Sequence, residues 1–199
     1  CSLSETRAPG ELPIEIVAEG VNGARVEISG ATSSQFVSGL MMAAPLYTGG
    51  LIIELTGTIV SRPYLDLTIK VMNDFGVVVE QPNESTYVIE QGPYRGADIE
   101  IEPDASAASY FFAAAAITQG KVKVDGLHRE SCQGDIEFVD VLEKLGAKVT
   151  WGKNSIEVEG DRINGGTFDL KDFSDTAQTL ASVAAFAESE VEIKGIGFI

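Results

Sequence analysis

The feature that most constrains this chain is a repeat of about 69 residues. Three segments alternate apolar and polar positions and close on a glycine. They are Gly50-Leu-Ile-Ile-Glu-Leu-Thr-Gly57, Gly120-Lys-Val-Lys-Val-Asp-Gly126 and Glu190-Val-Glu-Ile-Lys-Gly195. Alternation of period two marks a half-buried strand. The differences 126 − 57 and 195 − 126 both give 69. The same spacing twice is the signature of an internal repeat.

The flanking segments repeat as well. Before each strand runs a stretch rich in small and apolar residues, over 33–46, 106–118 and 174–187. Each opens near Ser or Asp, which accept hydrogen bonds from unpaired N–H groups at a helix start. Short alternating strands precede these helices at 25–29, 98–102 and 167–171. A second helix is expected at 63–75 and 133–145, with Ile69, Met72 and Phe75 matching Val139, Leu142 and Leu145. Gly76 and Gly146 then supply left-handed caps. Two strands complete each unit, at 77–80 with 87–90 and at 147–151 with 155–159. The fold class is therefore α/β (α+β), built from βαβαββ units. The chain contains one unit near its front, one in the middle and half of a third, after a segment to about Val21 that reads as the tail of another. That count is odd for a complete protein, and the chain reads as part of a longer one.

Composition narrows the chemistry. Among 199 residues, 14 Lys+Arg stand against 30 Asp+Glu, for a formal charge of −16. So acidic a chain lacks the basic face that nucleic acid or an anionic membrane requires, so neither is an expected partner. With His128 alone, a multi-histidine metal site is excluded. No 18-residue apolar run or signal peptide is evident. Cys1 and Cys132 form no CxxC motif and point to a reducing, cytoplasmic compartment. An N-terminal Cys1 also leaves a processed lipoprotein as an alternative.

Two places have the residue types to hold a small anion. Ser33-Ser34-Gln35 opens the first long helix, and Ser61-Arg62-Pro63-Tyr64 opens the second. Helix starts carry unpaired N–H groups and partial positive charge. Hydroxyls there either cap the helix or bind phosphate oxygens, and the two readings remain open. Because both helices follow parallel-type strands, Ser33, Ser34, Ser61 and Arg62 are able to surround one phosphate. The matching stretch of the middle unit, Arg129 to Gln133, lacks the Ser-x-Pro-Tyr pattern. Asp175 begins the third helix, either as a dipole-complementing residue or as a general base on a substrate hydroxyl. Asp104 reads as a cap, and His128 as a surface or structural residue.

Five stretches in this order resemble the enolpyruvyl transferase family. They are 31–45 (Ala-Thr-Ser-Ser-Gln-Phe-Val-Ser-Gly-Leu-Met-Met-Ala-Ala-Pro), Ser61-Arg-Pro-Tyr-Leu-Asp66 and Pro103-Asp-Ala-Ser-Ala-Ala-Ser-Tyr-Phe-Phe112, together with Gln133-Gly-Asp-Ile-Glu-Phe-Val-Asp-Val-Leu-Glu-Lys-Leu-Gly146 and Ser174-Asp-Thr-Ala-Gln178. The resemblance implies two inside-out barrel domains, each of three βαβαββ units about a pseudo-threefold axis. Residues 1–102 would be the C-terminal part of the first domain, and 103–199 the N-terminal part of the second.

It also implies transfer of the enolpyruvyl group of phosphoenolpyruvate to the 5-hydroxyl of shikimate 3-phosphate, by addition and then elimination of phosphate. No cofactor or metal is implied, and the intact protein would be a monomer. By motif position Ser33, Ser34 and Ser61 would hold the shikimate phosphate. Gln35 would lie between shikimate 3-phosphate and phosphoenolpyruvate, Tyr64 would line the shikimate side, and Asp175 would bind the shikimate hydroxyls and act as catalytic base. Arg62 falls where the family carries a basic residue.

The family's N-terminal Lys motif, its Asn-Ala-Gly-Thr segment, its phosphoenolpyruvate-clamping Arg and Lys residues and an acidic partner in proton transfer have no counterpart in this sequence. The chain alone is therefore expected to be inactive. Alternatives are the family branch that uses UDP-N-acetylglucosamine as acceptor, and a non-catalytic binding domain.

Overall fold

Each closing glycine of the repeat adopts a left-handed backbone: φ is 73° at Gly57, 93° at Gly126 and 75° at Gly195. A residue with a Cβ is disfavoured there, so the same conformational need recurs at the same place in each unit. The computed structural model describes residues 2–5 and 7–199, so Cys1 and its possible lipid attachment lie outside the described residues. The chain divides into two compact units. The first comprises the chain up to Gly30, Gln35–Ile59 and Thr68–Ala97; the second comprises Ala31–Ser34, Val60–Leu67 and Asp98–Ile199.

In the first unit, β1 (Ser2–Glu5) and β2 (Ile14–Val17) form an exposed antiparallel hairpin. The repeat follows as β3 (Arg25–Ser29), α1 (Ser34–Ala43), β4 (Leu51–Thr56), α2 (Arg62–Asp74), β5 (Val79–Asn83) and β6 (Thr86–Ile89). The first residues of α1 and α2 belong to the second unit. The sheet order is β3-β4-β6-β5, with β3 parallel to β4 and the other pairs antiparallel. A parallel pair requires a crossover, and α1 supplies it. Val37, Met41, Ile53, Met72, Tyr87 and Ile89 are almost fully buried in this unit's core.

In the second unit, α3 (Ala105–Thr118), β7 (Lys121–Asp125), α4 (Phe138–Leu145), β8 (Lys148–Trp151) and β9 (Ser155–Glu159) repeat the pattern. Their sheet order, β7-β9-β8, is the counterpart of β4-β6-β5. Then β10 (Gly166–Asp169), α5 (Ala177–Ala184) and β11 (Val191–Lys194) form a parallel pair with its crossover, the counterpart of β3-α1-β4. Phe112 and Ala116 of α3, Phe138 and Leu142 of α4, Ile156 of β9 and Leu180 of α5 share one apolar core.

The structure corrects one expected element, trims two and displaces one. Residues 98–102 form no strand. Their alternation is present, but Ile99 and Ile101 are exposed and no strand of the second unit pairs with them among the described residues. A strand is defined by ladder hydrogen bonds to a neighbour, which alternation alone cannot supply. The helix expected at 133–145 starts with a 3₁₀ turn, Gly134–Glu137, before α4. The helix expected at 174–187 likewise starts with a 3₁₀ turn, Ser174–Thr176, and ends at Ala184. The strand expected at 77–80 is displaced to Val79–Asn83, and its pairing register shifts between Glu80 and Asn83.

Candidate functional site

The second unit gathers three helix entries of the sequence reading. Ser61 precedes α2 with φ of 55°, one of two non-glycine residues with positive φ among the described residues. It is 5% exposed, and its amide donates to the Lys171 carbonyl at 3.2 Å. The Tyr64 amide donates to the Ser61 carbonyl at 3.2 Å, which closes the first turn. Pro63 occupies that turn, where its missing N–H would have no helical partner anyway.

Gly134 brings the second entry against the first. A Cβ there would stand 2.8 Å from Pro63 Cβ and 2.9 Å from the Asp172 carbonyl oxygen. Glycine therefore permits a close approach that places the next residue, Asp135, beside Tyr64. The Tyr64 hydroxyl donates to Asp135 Oδ2 at 2.9 Å, and the Ser106 hydroxyl donates to the same oxygen at 2.7 Å. Asp135 is 3% exposed, and its Oδ1 has no hydrogen-bond partner. Burial pushes the Asp135 carboxyl above the usual range, the Ser106 and Tyr64 hydrogen bonds oppose that shift, and Asp175 and Asp104 add to it.

Asp175 supplies the third entry. It is exposed in the 3₁₀ turn, between buried Ser174 and Thr176. The Thr176 hydroxyl donates to the Phe173 carbonyl at 2.9 Å, and Gln178 Nε2 donates to the Asp175 carbonyl at 2.7 Å. These bonds fix the turn that carries the carboxylate. The Tyr64 phenol is raised above its ordinary value by burial first, then by Asp135 and Asp175. It therefore remains protonated at physiological pH and acts as a hydrogen-bond donor.

Ser34 begins α1 and is 9% exposed, while Ser33 just before it is half-buried. Both lie in the second unit with Ser61, Arg62, Tyr64 and Asp175; Gln35, exposed on α1, belongs to the first. Arg62 is half-buried at the first residue of α2. The arrangement offers helix-start N–H groups, serine hydroxyls, a neutral phenol and an exposed carboxylate: donors for an anion and an acceptor for a hydroxyl proton. Among the described residues no cluster of three His, Cys, Asp or Glu side chains is able to hold a metal ion.

Asp104 caps α3, its carboxylate accepting from the Ala107 amide at 3.0 Å. His128 sits in a local turn, where its Nδ1 accepts from the Glu130 amide at 3.2 Å. Cys132 is half-buried and outside any disulfide.

Sequence reading gave neither Asp135 nor Ser106 a part in the site, and took Ser106 only as the opening of a helix. A signal for Asp135 was present. It precedes Phe138, Val139 and Leu142 by three, four and seven positions, which puts a carboxylate in phase with an apolar helix face.

The family model described as EPSP synthase (3-phosphoshikimate 1-carboxyvinyltransferase) matches residues 5–199. The chain is 45% identical over 195 residues to the 3-phosphoshikimate 1-carboxyvinyltransferase of Mannheimia haemolytica, covering 94% of this chain and 44% of that protein. It is 46% identical over 189 residues to the protein of the same name from Actinobacillus pleuropneumoniae, again with 94% and 44% covered. The chain thus spans 44% of the length of these curated relatives. Among solved structures, EPSP synthase from Acinetobacter baumannii superposes with a TM-score of 0.74 at 20% identity, covering 96% of this chain and 45% of that one. The enolpyruvyl transferase NikO from Streptomyces tendae gives 0.64 at 19% identity, covering 90% and 46%. The structural likenesses establish the shared α/β fold.

Proposed function

Because the chain belongs to the EPSP synthase (3-phosphoshikimate 1-carboxyvinyltransferase) family, we propose that the intact protein carrying it is that transferase. It moves the enolpyruvyl group of phosphoenolpyruvate to the 5-hydroxyl of shikimate 3-phosphate in aromatic amino acid biosynthesis. Both substrates are small molecules, and the protein acts in the cytoplasm as a monomer. Residues 1–102 end its first domain and 103–199 begin its second.

In this reading Ser33, Ser34 and Ser61 hold the shikimate phosphate, aided by the helix starts they occupy. Tyr64 lines the shikimate side, and Gln35 lies between the two substrates. Asp175 accepts the 5-hydroxyl proton as that oxygen bonds to C2 of phosphoenolpyruvate. Elimination of phosphate from the tetrahedral adduct then restores the double bond.

The observation that best supports this reading is Ser61. A buried serine in a left-handed backbone is disfavoured, and such residues concentrate at ligand-holding sites. In the middle repeat the corresponding position is Glu130, which carries no such backbone.

The test is phosphate release by the full-length protein. Release that requires both phosphoenolpyruvate and shikimate 3-phosphate is expected. Release with UDP-N-acetylglucosamine in place of shikimate 3-phosphate, or no release with either acceptor, would overturn the proposal. The 199-residue chain assayed alone is expected to release none.

A further inference from the structure

We propose that Asp135 is a positioning residue for the shikimate side of the site: by accepting the Tyr64 hydroxyl it fixes the first turn of α2, and with it Tyr64 and Ser61, where shikimate 3-phosphate is held. The proposal rests on the reading that those two residues meet that substrate, and it concerns a residue to which that reading gives no part.

Every contact lies within the second unit. The Tyr64 hydroxyl donates to Asp135 Oδ2 at 2.9 Å. The same hydroxyl also hydrogen-bonds to the carboxylate of Asp175, which is exposed on its 3₁₀ turn. Of these two acceptors Asp135 is the buried one, at 3% exposure. A second donor, the Ser106 hydroxyl of α3, reaches the same Oδ2 at 2.7 Å. The acceptor is thereby tied to a helix whose Phe112 and Ala116 belong to the unit's core.

The residues beside Asp135 serve the same junction. Gln133 Oε1 accepts from the Ala105 amide at 2.7 Å, and its Nε2 donates to the Pro103 carbonyl at 2.8 Å. Gly134 rests against Pro63, where a Cβ would stand 2.8 Å from the Pro63 Cβ. Residues 133–135 therefore grip the start of α3 on one side and the start of α2 on the other. The α2 turn carries Tyr64 and is closed by the Tyr64 amide, which donates to the Ser61 carbonyl at 3.2 Å. Packing alone asks for no carboxylate at this place. A buried carboxylate whose Oδ1 has no partner among the described residues is costly, and an apolar side chain of like size would remove that cost. What such a side chain would not supply is an acceptor for the Tyr64 hydroxyl.

A double-mutant cycle in the full-length protein isolates the effect, read as KM for each substrate and kcat for phosphate release. Asp135→Leu leaves the phenol with Asp175 alone, on an exposed turn, and should raise KM for shikimate 3-phosphate about tenfold. KM for phosphoenolpyruvate should stay within about twofold. Loss of a buried negative charge would by itself favour an anionic substrate, so the expected rise is opposite in sign to that effect. Asp135→Asn keeps an acceptor oxygen for the phenol and should recover most of the loss. In the Tyr64→Phe background, Asp135→Leu should change KM for shikimate 3-phosphate by less than about twofold.

An equal rise with and without the Tyr64 hydroxyl, equal rises for Asn and Leu, or a fall in kcat with both KM values unchanged would overturn the proposal. Ser106→Ala covers the case in which Asp135→Leu does not fold. It removes only the tether to α3 and should raise the same KM about threefold, again only with the Tyr64 hydroxyl present. In that case the absence of a rise would overturn the proposal. A parent protein without turnover overturns the proposed function, and with it the substrate named here. An active parent in which Asp135→Leu leaves KM for shikimate 3-phosphate unchanged overturns this proposal alone.

Discussion

Ser61 keeps a left-handed backbone in which a residue with a Cβ is disfavoured by about 1–2 kcal/mol. Ser61→Gly removes that strain, whereas Ser61→Ala retains it; both lose the hydroxyl. A hydrogen bond to a charged group contributes about 1.5–3 kcal/mol. In the intact protein both variants should therefore raise KM for shikimate 3-phosphate about tenfold or more. Their melting temperatures should separate, with Gly at least as stable as Ala despite its greater unfolded-state freedom. A Gly variant melting several degrees below Ala would show that the backbone at Ser61 is unstrained. Hydroxyls and a carboxylate at helix starts were readable from residue type and spacing, so Ser33, Ser34, Ser61 and Asp175 were legible as site candidates. Asp135 was not, because an apolar helix face reveals which residues are buried and not which buried polar atom a distant hydroxyl will reach. The Tyr64–Asp135 bond joins positions 71 residues apart, beyond any local pattern.

The elements of the repeat were mostly legible, since each depends on local periodicity and its punctuating glycine. The exception is instructive. The alternation at 98–102 matches that of β3, yet β3 lies beside β4 whereas 98–102 pairs with no strand of its unit. Pairing is a property of two segments, and one segment's sequence records only its half. Helix entries were also blurred at the two 3₁₀ turns, where the tighter turn shares the same apolar spacing for its few residues. The Gly134–Glu137 turn gives an element-scale prediction. Gly134→Ala places a methyl 2.8 Å from Pro63 Cβ and 2.9 Å from the Asp172 carbonyl. The turn has to move away from α2, at a cost of about 1–3 kcal/mol. Chemical denaturation should register that loss in the midpoint without a change in slope. An unchanged midpoint would mean that the turn does not rest on Pro63.

For the molecule as a whole, one buried acid ties stability to pH in a defined direction. Burial raises the carboxyl of Asp135 above its ordinary range. The folded state then holds a proton that the unfolded state has already released. Its contribution is present in full below the ordinary carboxylate range and is lost as pH rises through the raised folded value. Unfolding free energies measured from pH 4 upward should fall more steeply in the parent than in Asp135→Asn, and parallel profiles would contradict a raised Asp135.

The three-stranded sheet β7-β9-β8 has a further consequence, for the behaviour of the protein in concentrated solution. With no strand at 98–102 beside it, β7 presents an unpaired row of backbone groups, and β8 presents the other edge. An open edge is a template on which another molecule's strand can grow. Lys121 and Lys123 project from β7, Lys148 from β8, and all three are exposed. Lys121 is paired with Glu157 and Glu159 and Lys123 with Asp125, so a second copy aligning its own edge would have to desolvate or break these ion pairs. These side chains thus act as guards against stacking, in a chain whose remaining surface charge is overwhelmingly acidic.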